Sequence, residues 1–494
     1  MAPAVGGSSP LTHPSLPPVI GILPKHLQSR VFLGTDTMKN NPFARYAPQL
    51  LIVAVVLIGY GYMFTGFFAH DDFEWLTLAK QIADGQMPSS AQTVGFFRVC
   101  VAIVMALWVK VFGFLPWAHY GLKILIHIAN VLLIYHIANT FLKERAAAML
   151  AGLAFALSAL TGEAITFYSA LTDQLAFLFF AASLYCFLRP ERHYLHLISA
   201  WLLYFLALTS KETAVFLPLL TLTISFLWKK QKLTAALREN SGYLALMVIY
   251  LLFYFLALPT QYFIATGRYH LSWGLPASLC QNLVIFFINP YFSLARLEVD
   301  RILALKISIL PVLALFLLFY FIAVGQKKTR NTIAIPLIAL IWMIVGELAF
   351  LPLIGGEIAP SRYLYLAGGG FAILLAWLIS RLWKERVWVV VTLFSALYLF
   401  PNLVLGWIQE ERALSEQAEY QQLLSEVKKL EPPPGSVVIL RGVAESIEEG
   451  VVHGEHPATM LKLLGPPQFD YVIASEGEVE PRGENVYYLT IKSP

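Results

Sequence analysis

The stretch that decides the fold is Leu50-Leu-Ile-Val-Ala-Val-Val-Leu-Ile-Gly-Tyr-Gly-Tyr-Met-Phe-Thr-Gly-Phe-Phe-Ala-His-Asp-Asp-Phe-Glu-Trp75. It begins inside an apolar run, residues 47–69, that is long enough for a membrane helix, which needs about 20 mainly apolar residues. It ends in two adjacent carboxylates, Asp71 and Asp72, which are costly inside a membrane. The stretch therefore predicts a membrane helix that leaves the bilayer into an acidic loop.

The composition places the rest of the chain in a bilayer as well. Of its 494 residues, 58% are hydrophobic and only 13% are charged, and the mean hydropathy of +0.65 is far above that of an average soluble domain. The formal net charge is +4, and the basic residues gather in short loops between apolar runs. We therefore expect membrane lipids as partners and no nucleic acid.

Ten further runs are apolar and long enough, or nearly so, to form membrane helices. They are 121–141, 146–161, 170–188, 194–210, 213–228, 242–261, 302–325, 332–352, 364–382 and 387–407. Two more apolar runs, 96–115 and 277–294, are interrupted by polar residues such as Lys110 and Asn289. Hydropathy alone leaves open whether these two runs cross the membrane.

The distribution of lysine and arginine decides the topology. If 96–115 and 277–294 lie along the outer membrane surface, every basic loop falls on the cytoplasmic side, as the positive-inside rule requires. These loops hold Lys143/Arg145, Arg189/Arg192, Lys229/Lys230/Lys232/Arg238, Lys327/Lys328/Arg330 and Arg381/Lys384/Arg386. If 96–115 crossed the membrane, the first three loops would move outside. We therefore predict eleven spanning helices, two interfacial segments and an extracytoplasmic C-terminus.

The N-terminal segment differs from the membrane part. Residues 1–45 are rich in Pro, Ser and Gly at first and lack the pattern of a signal peptide. We predict a disordered cytoplasmic N-terminus ahead of a membrane domain at 46–408. Met38 stands just before the basic flank of the first apolar run, so translation from Met38 is an alternative start.

The C-terminal segment, residues 409–494, changes composition again. It predicts a small extracytoplasmic α/β domain with a structural or acceptor-docking role, because helical and strand-like patterns alternate there. The predicted elements are a helix over 409–430, strands over 436–441, 469–474 and 485–491, and a short helix over 457–464.

Acidic residues stand at the predicted outer ends of the spans. If Asp71 and Asp72 are both partly buried, each raises the pKa of the other, which suits one of them to act as a general base near neutral pH. A solvated helix start with an Asp N-cap is the simpler alternative. Glu163 and Asp173 flank the next outer turn, where acids serve a site, a pathway or an ion pair. For Asp173 the simpler alternative is a carboxylate favoured by the helix dipole.

Basic residues at the remaining outer turns complete the candidate site. Lys211 and Glu212 lie between two spans, where the lysine departs from the positive-inside trend and a local Lys–Glu pair is the simpler interpretation. Arg362 begins a span at the outer headgroup level, where a guanidinium suits the phosphate of a lipid carrier. We interpret the nearby tyrosines, Tyr363 and Tyr365, as interfacial belt residues.

Together these motifs resemble the GT-C fold glycosyltransferases, the group that includes protein O-mannosyltransferases (glycosyltransferase family 39) and lipid A aminoarabinose transferases. Asp71-Asp72-x-x-Trp75…Gly85 is similar to the D-[DE]-x-x-Y…G element of their first external loop. Phe97-Arg98, Phe112-Gly113…Pro116 and His127-x-x-Asn130 are similar to the F/Y-R-P…G…H-x-x-N run of bacterial and TPR-containing mannosyltransferase-like members.

The resemblance continues in order over about residues 45–410. Phe155-Ala-Leu…Glu163-Ala…Asp173 resembles the second-loop acids of the group. Ser210-Lys-Glu212 and Ser361-Arg-Tyr-Leu-Tyr-Leu366 resemble its later S-K-E and E-R-Y-L-Y-L-P elements. The chain departs from the pattern at three positions, which bears on subfamily and acceptor: Val99, Ser361 and Ala367.

The resemblance implies an all-α polytopic membrane fold with jaw-like interfacial helices, and a sugar transfer from a polyprenyl-phosphate donor to a hydroxyl of a protein, lipid or glycan. The reaction would take place outside the cytoplasm, at a bacterial inner membrane. Asp71 is then the base and Asp72 a second catalytic acid that orients it. The implied substrate-binding residues are Arg98, Glu163, Asp173, Lys211, Glu212 and Arg362, with the three cations on the phosphate side.

The resemblance implies no cofactor for the mannosyl and aminoarabinosyl types. A divalent metal held by the Asp/Glu set is the alternative, as in oligosaccharyltransferases of this fold. A transporter or flippase of polyprenyl-linked glycans is the alternative function, since it would also be helical and basic inside. Such proteins commonly carry internal repeats and broken helices at the midplane, a pattern that the sequence does not show.

Overall fold

The structure is a computed structural model of the chain. It describes residues 42–86, 97–189, 194–257, 275–295, 331–354 and 361–430 and, near the C-terminus, 433, 436–441, 456–467, 469–473 and 486–490. The predicted disordered segment up to residue 41 and the predicted span 302–325 lie outside the described residues. The chain divides into two units, Met1–Leu50 and Leu51–Pro494, and every contact given below lies within the second.

The described part of the chain is mainly helical. Its first helices are α1 (Pro42–Tyr60), α2 (Asp72–Ala83), α3 (Val99–Phe112), α4 (Pro116–Leu142), α5 (Arg145–Ala156), α6 (Glu163–Thr166), α7 (Leu171–Leu188), α8 (Tyr194–Leu208), α9 (Leu217–Leu227) and α10 (Leu233–Ala257). The later helices are α11 (Leu275–Ala295), α12 (Asn331–Leu348), α13 (Leu351–Ile354), α14 (Tyr365–Phe394), α15 (Phe400–Lys429) and α16 (His456–Leu464). Single 3₁₀ turns join several of them, at Gly61–Thr65, Ala159–Thr161, Tyr168–Ala170, Glu212–Phe216 and Ser361–Leu364.

Five helical segments of the described residues are long and apolar enough to cross a membrane, or six if one bent pair counts as a span. The five are Tyr46–Thr65, Pro116–Leu142, Tyr168–Leu188, Leu233–Leu256 and Ser361–Arg381. Each overlaps a predicted span, although Leu233–Leu256 begins nine residues before the predicted run 242–261. Four shorter apolar helices lie at Val99–Phe112, Tyr194–Leu208, Glu212–Leu227 and Ile333–Leu348. The total of eleven spans stays a prediction.

Two predicted segments, 96–115 and 146–161, are not long straight helices in the structure. Helix α3 has 14 residues, and at 1.5 Å per residue its length of about 21 Å is short of the roughly 30 Å hydrocarbon core. This length suits the interfacial placement that the charge pattern predicts. The predicted span 146–161 is not one straight helix, because Arg145–Ala156 and Ala159–Thr166 are bent by 53° relative to each other. The side chain of Asn402 accepts a hydrogen bond from the backbone N–H of Ala159, so this donor is paired at the break.

The last two predicted spans continue directly into the helix of the C-terminal segment. Helix α14 is followed by a π-helical turn, Ser395–Leu399, and α15 then runs without a break through the predicted domain boundary at 408. The rings of Phe371 and Tyr398 are in contact, with 5.8 Å between their centroids. Because a straight helix would separate them by about 40 Å, the chain reverses direction between them, as the predicted basic loop requires.

The C-terminal strands and helix lie where the sequence predicts them. Strands β1 (Val437–Arg441), β2 (Asp470–Ile473) and β3 (Val486–Thr490) form one parallel sheet in the order β2-β1-β3. Helix α16 packs against both β2 and α2. The fold class, a helical membrane protein with a small C-terminal strand region, is therefore confirmed.

Two apolar cores hold these elements. The larger joins the membrane helices and includes Trp342, Trp377, Phe155 and Phe177. The smaller joins α2, α3, the end of α15 and the C-terminal sheet, through residues such as Phe73 and Tyr420. The second core fixes the helix that begins at Asp72 against the C-terminal part of the chain.

Candidate active site

The four turns that the sequence singled out lie together at one end of the helix bundle. Asp71 forms an ion pair with Arg362, and the backbone N–H of Arg362 donates to the carboxylate of Glu163. Tyr363, the next residue, receives the ammonium of Lys211 on its ring face. One connected polar cluster therefore contains residues from every one of the four turns.

Asp71 is the accessible member of the acidic pair. Its side chain is 42% exposed, and a carboxylate oxygen lies 3.6 Å from a terminal nitrogen of Arg362, whose side chain is 27% exposed. Asp71 stands at the N-cap position of α2 but makes no capping hydrogen bond through its side chain. The side chain of Asp71 therefore does not cap the helix, and its carboxylate faces Arg362 instead.

Asp72 has the opposite environment. It is fully buried, and its two oxygens accept hydrogen bonds from the backbone N–H groups of Ala69 and Ser169. Burial raises the pKa of Asp72 above its usual range, while these hydrogen bonds and the charge of Lys123 act against the increase. The sequence interpretation attributed a raised pKa to the neighbouring carboxylate, and this is corrected here, because the main cause is desolvation.

Lys211 and Glu212 do not pair with each other. The ammonium of Lys211 lies 2.6 Å from a carboxylate oxygen of Asp173, and the two side chains are 3% and 6% exposed. The simple local pair predicted as an alternative is therefore wrong. Asp173 is in the first turn of α7, so the ion pair joins the start of this helix to the turn before α9.

Glu212 pairs with Arg98 in a two-point contact. The arginine Nε and a terminal nitrogen donate to the two carboxylate oxygens at 3.2 Å and 2.7 Å, the geometry that makes arginine–carboxylate pairs strong and directional. These side chains are 13% and 11% exposed. Among the predicted phosphate-side cations, Arg98 and Lys211 are thus held in close, largely buried ion pairs, whereas Arg362 has the longer contact and the more exposed side chain.

A buried lysine in α4 was missed by the sequence interpretation. Lys123 is fully buried, donates to the backbone carbonyl of Phe167 and is attracted by the charges of both Asp72 and Asp173. Its position within the apolar run 121–141 was the available signal, because a charge inside a predicted span usually marks a site or an ion pair.

The H-x-x-N motif, His127 and Asn130, contacts Tyr365, which directly follows the turn that carries Arg362. The hydroxyl of Tyr365 lies 2.7 Å from Nδ1 of His127 and 3.1 Å from the amide nitrogen of Asn130. All three side chains are buried. The prediction that Tyr365 is an interfacial belt residue is therefore wrong: it connects the start of α14 to α4, which holds the turn that carries Arg362.

A metal site of three or more His, Cys, Asp or Glu side chains is not found among the described residues. The individual contacts agree with this, because Asp72 accepts two backbone donors and Asp173 pairs with Lys211. The cluster is thus built from carboxylates matched by cations and backbone groups.

Comparisons with known proteins bear on the family and the fold. Residues 99–259 match the family model described as dolichyl-phosphate-mannose-protein mannosyltransferase. A search of curated proteins found no match.

Three solved structures illustrate the similarity. The apo crystal structure of ArnT from Cupriavidus metallidurans has 13% sequence identity and a TM-score of 0.50, over 87% of this chain and 86% of that chain. The same protein bound to undecaprenyl phosphate has 14% identity and a TM-score of 0.46, over 87% and 86% of the two chains. An oligosaccharyltransferase from Archaeoglobus fulgidus, tethered to an acceptor peptide with the NVT sequon, has 10% identity and a TM-score of 0.46, over 87% and 64%.

The fold shown by these comparisons is the GT-C fold, the fold that the sequence motifs resemble. The match to apo ArnT shows the fold over most of both chains, and the family model matches the segment from α3 to α10. The resemblance that the sequence motifs indicated is therefore confirmed.

Proposed function

We propose that the chain transfers a sugar from a polyprenyl-phosphate donor to a hydroxyl of a protein, lipid or glycan acceptor on the extracytoplasmic face of a bacterial inner membrane. The observation that carries the proposal is the contact between Asp71 and Arg362, 3.6 Å apart and both accessible. A potential general base and a potential phosphate ligand stand side by side at the end of the bundle where all candidate residues meet.

The chemistry needs few groups. The acceptor oxygen forms a bond to the anomeric carbon of the sugar, the bond from that carbon to the phosphate oxygen breaks, and the phosphate keeps the electron pair. Asp71 accepts the hydroxyl proton, and Arg362 neutralises the charge that grows on the departing phosphate. When the donor phosphate draws Arg362 away from Asp71, the carboxylate is released to act as the base.

The remaining residues of the cluster hold this pair in place. Glu163 anchors the backbone of Arg362, and Asp72 anchors the loop behind Asp71 through Ala69 and Ser169. Arg98, Asp173, Lys211 and Glu212 form two buried ion pairs whose net charge is zero. In this proposal the four residues line and shape the donor site. The reaction requires no cofactor.

The description of the matching family model, a dolichyl-phosphate-mannose-dependent transferase, supports a polyprenyl-phosphate donor. The departure at Ser361, where the glutamate of the family motif is replaced, bears on the acceptor and not on the phosphate side, because Arg362 is kept. We therefore propose the donor class without assigning the sugar.

The test is release of polyprenyl phosphate from a polyprenyl-phosphate sugar that is labelled in the sugar, using the purified protein in detergent with a mixture of candidate acceptors. A transferase releases the lipid phosphate and labels an acceptor. A flippase moves the intact donor between leaflets of a vesicle and releases none, and that result would replace the proposed function with transport.

A further inference from the structure

Helix α15 contacts the acidic loop at His70, the residue that precedes Asp71. His70 precedes Asp71 directly, and one ring nitrogen of His70 lies 3.2 Å from a carboxylate oxygen of Glu416, the other 3.3 Å from the hydroxyl of Tyr420. Glu416 and Tyr420 are four residues apart, so they project from the same face of α15.

The backbone at His70 needs such support. Its φ of 51° lies in the left-handed region, which is uncommon for residues other than glycine and persists only where the surroundings enforce it. The imidazole also packs edge-to-face against Tyr420 and, with the rings tilted by 53°, against Phe167. This turn sets the direction in which the chain leaves the first span and therefore the place of Asp71.

A second contact holds the same loop a few residues earlier. The amide oxygen of Gln417 accepts a hydrogen bond from the backbone N–H of Phe67, and its amide nitrogen donates to the hydroxyl of Tyr120 and to the carbonyl of Thr166. Helix α15 therefore holds the loop at two points. Gln417 contacts Phe67, and Glu416 and Tyr420 contact His70.

The charges around His70 favour a lasting contact with Glu416 and Tyr420, and these two residues form the His70 clamp. The hydrogen bond with His70 is the main reason that the pKa of Glu416 is lowered, so Glu416 is an ionised acceptor for the imidazole N–H. Glu419 also faces His70 from the same helix, and Arg412 donates to the second oxygen of Glu416 at 3.2 Å. The Tyr420 hydroxyl can donate to the other ring nitrogen, so the neutral imidazole satisfies both contacts.

We propose that His70, held by Glu416 and Tyr420 of helix α15, is a positioning residue for Asp71. This inference rests on the proposed function, in which Asp71 is the base. It makes α15, and the C-terminal sheet that packs with it on α2, part of the catalytic architecture.

Steady-state kinetics of His70→Gly test the proposal, because glycine adopts the left-handed conformation freely but lacks the ring that the clamp holds. We expect kcat to fall by about a hundredfold, the scale that a displacement of about 1 Å produces, while KM for the donor stays near the wild-type value. Glu416→Ala should cause a similar loss, and the conservative Glu416→Gln, which keeps an acceptor oxygen, should recover most of it. Gln421→Ala is the matched control, since Gln421 is an exposed residue of the same helix, next to Tyr420, and it should keep the wild-type kcat.

A double-mutant cycle separates positioning from general damage to the structure. If His70 acts through Asp71, adding His70→Gly to Asp71→Asn causes little further loss, whereas independent effects multiply. Full activity of His70→Gly with an inactive Asp71→Asn would overturn this inference and leave the proposed function intact. Full activity of Asp71→Asn would overturn the assignment of the base, and the inference with it.

Discussion

At the scale of single residues, Asp71 and Asp72 show how two adjacent carboxylates can differ completely. Asp71 is 42% exposed and faces a cation, whereas Asp72 is fully buried and serves two backbone donors. The sequence shows two identical side chains at this place. The difference arises from the turn at His70 and from the approach of Ser169, which is distant in sequence.

Asp72→Asn is expected to act on stability. An amide can present an oxygen to only one of the two backbone donors, so either Ala69 or Ser169 would face an N–H₂ group. An unsatisfied buried donor costs about 1–3 kcal/mol, and thermal unfolding of the purified variant should show the loss as a lower Tm. Asp84→Asn is the control at the other end of α2, because its ion pair with Lys80 is half-exposed and is worth less than about 1 kcal/mol. Equal Tm values for the two variants would contradict the stabilising role of the Asp72 carboxylate.

Arg362→Ala is expected to act on donor binding. A charged hydrogen bond to phosphate contributes about 1.5–3 kcal/mol, so KM for the donor should rise by about ten- to a hundredfold, with a smaller effect on kcat. Arg362→Lys should recover only part of the loss, because an ammonium lacks the planar fork of the guanidinium. Arg238→Ala, an exposed arginine in α10, should leave KM unchanged. An unaltered KM in Arg362→Ala would exclude Arg362 as a phosphate ligand.

The candidate residues could be selected from the sequence, but their partners could not. Acids and bases at helix ends stand out against apolar runs, which is why the four turns were found. The pairing of Lys211 with Asp173 and of Glu212 with Arg98 depends on helix packing, since adjacent residues in the extended turn at Lys211 point in opposite directions. Lys123 was missed because it lies inside an apolar run, where hydropathy outweighs a single charge.

At the scale of elements, α15 is the helix whose role was least visible in the sequence. Its first part reads as the end of a membrane span and its second part as the start of a soluble domain. The structure shows one continuous helix, Phe400–Lys429, which contacts the acidic loop through Glu416, Gln417 and Tyr420. The change of composition at this place therefore does not mark the end of an element.

Glu410, just beyond the last predicted span in α15, should make the stability pH-dependent. Burial raises its pKa from 4.5 to about 9. The folded state therefore keeps a proton that the unfolded chain releases, and stability should decrease as the pH rises from about 4.5 to about 9. Glu410→Gln should flatten this dependence of Tm on pH, whereas Glu411→Gln, on an exposed position of the same helix, should not. A wild-type Tm that is constant over this range would contradict the burial of a neutral Glu410.

At the scale of the whole molecule, the GT-C fold followed from motifs spread over most of the chain, and the match to apo ArnT confirms it. The number of spans and the sidedness stay predictions, since they depend on the short helix α3 and on segments outside the described residues. Local hydropathy cannot assign a 14-residue helix to the interface or the interior, because both environments favour apolar residues.

Reporter fusions test the topology directly. Fusions after residues 144, 191, 231, 329 and 384 should be cytoplasmic, and fusions after 270 and 430 should be external, because this arrangement places every short basic loop inside. The fusion after 144 discriminates best. An external signal there would mean that α3 crosses the membrane and that the clustered site lies on the other face.

The most direct test of the central claim is the turnover of Asp71→Asn in transfer from a short-chain polyprenyl-phosphate sugar, with purified variants of equal thermal stability. An amide keeps the size of the side chain but cannot accept a proton, and general-base catalysis typically contributes about 10²–10⁴-fold. We predict a loss of that size in kcat with donor binding nearly normal, and no loss for Glu74→Gln, an exposed carboxylate in the same helix. An Asp71→Asn protein that keeps about a third of the wild-type turnover, where a base of this kind should cost at least about a hundredfold, would contradict the role of Asp71 as the catalytic base.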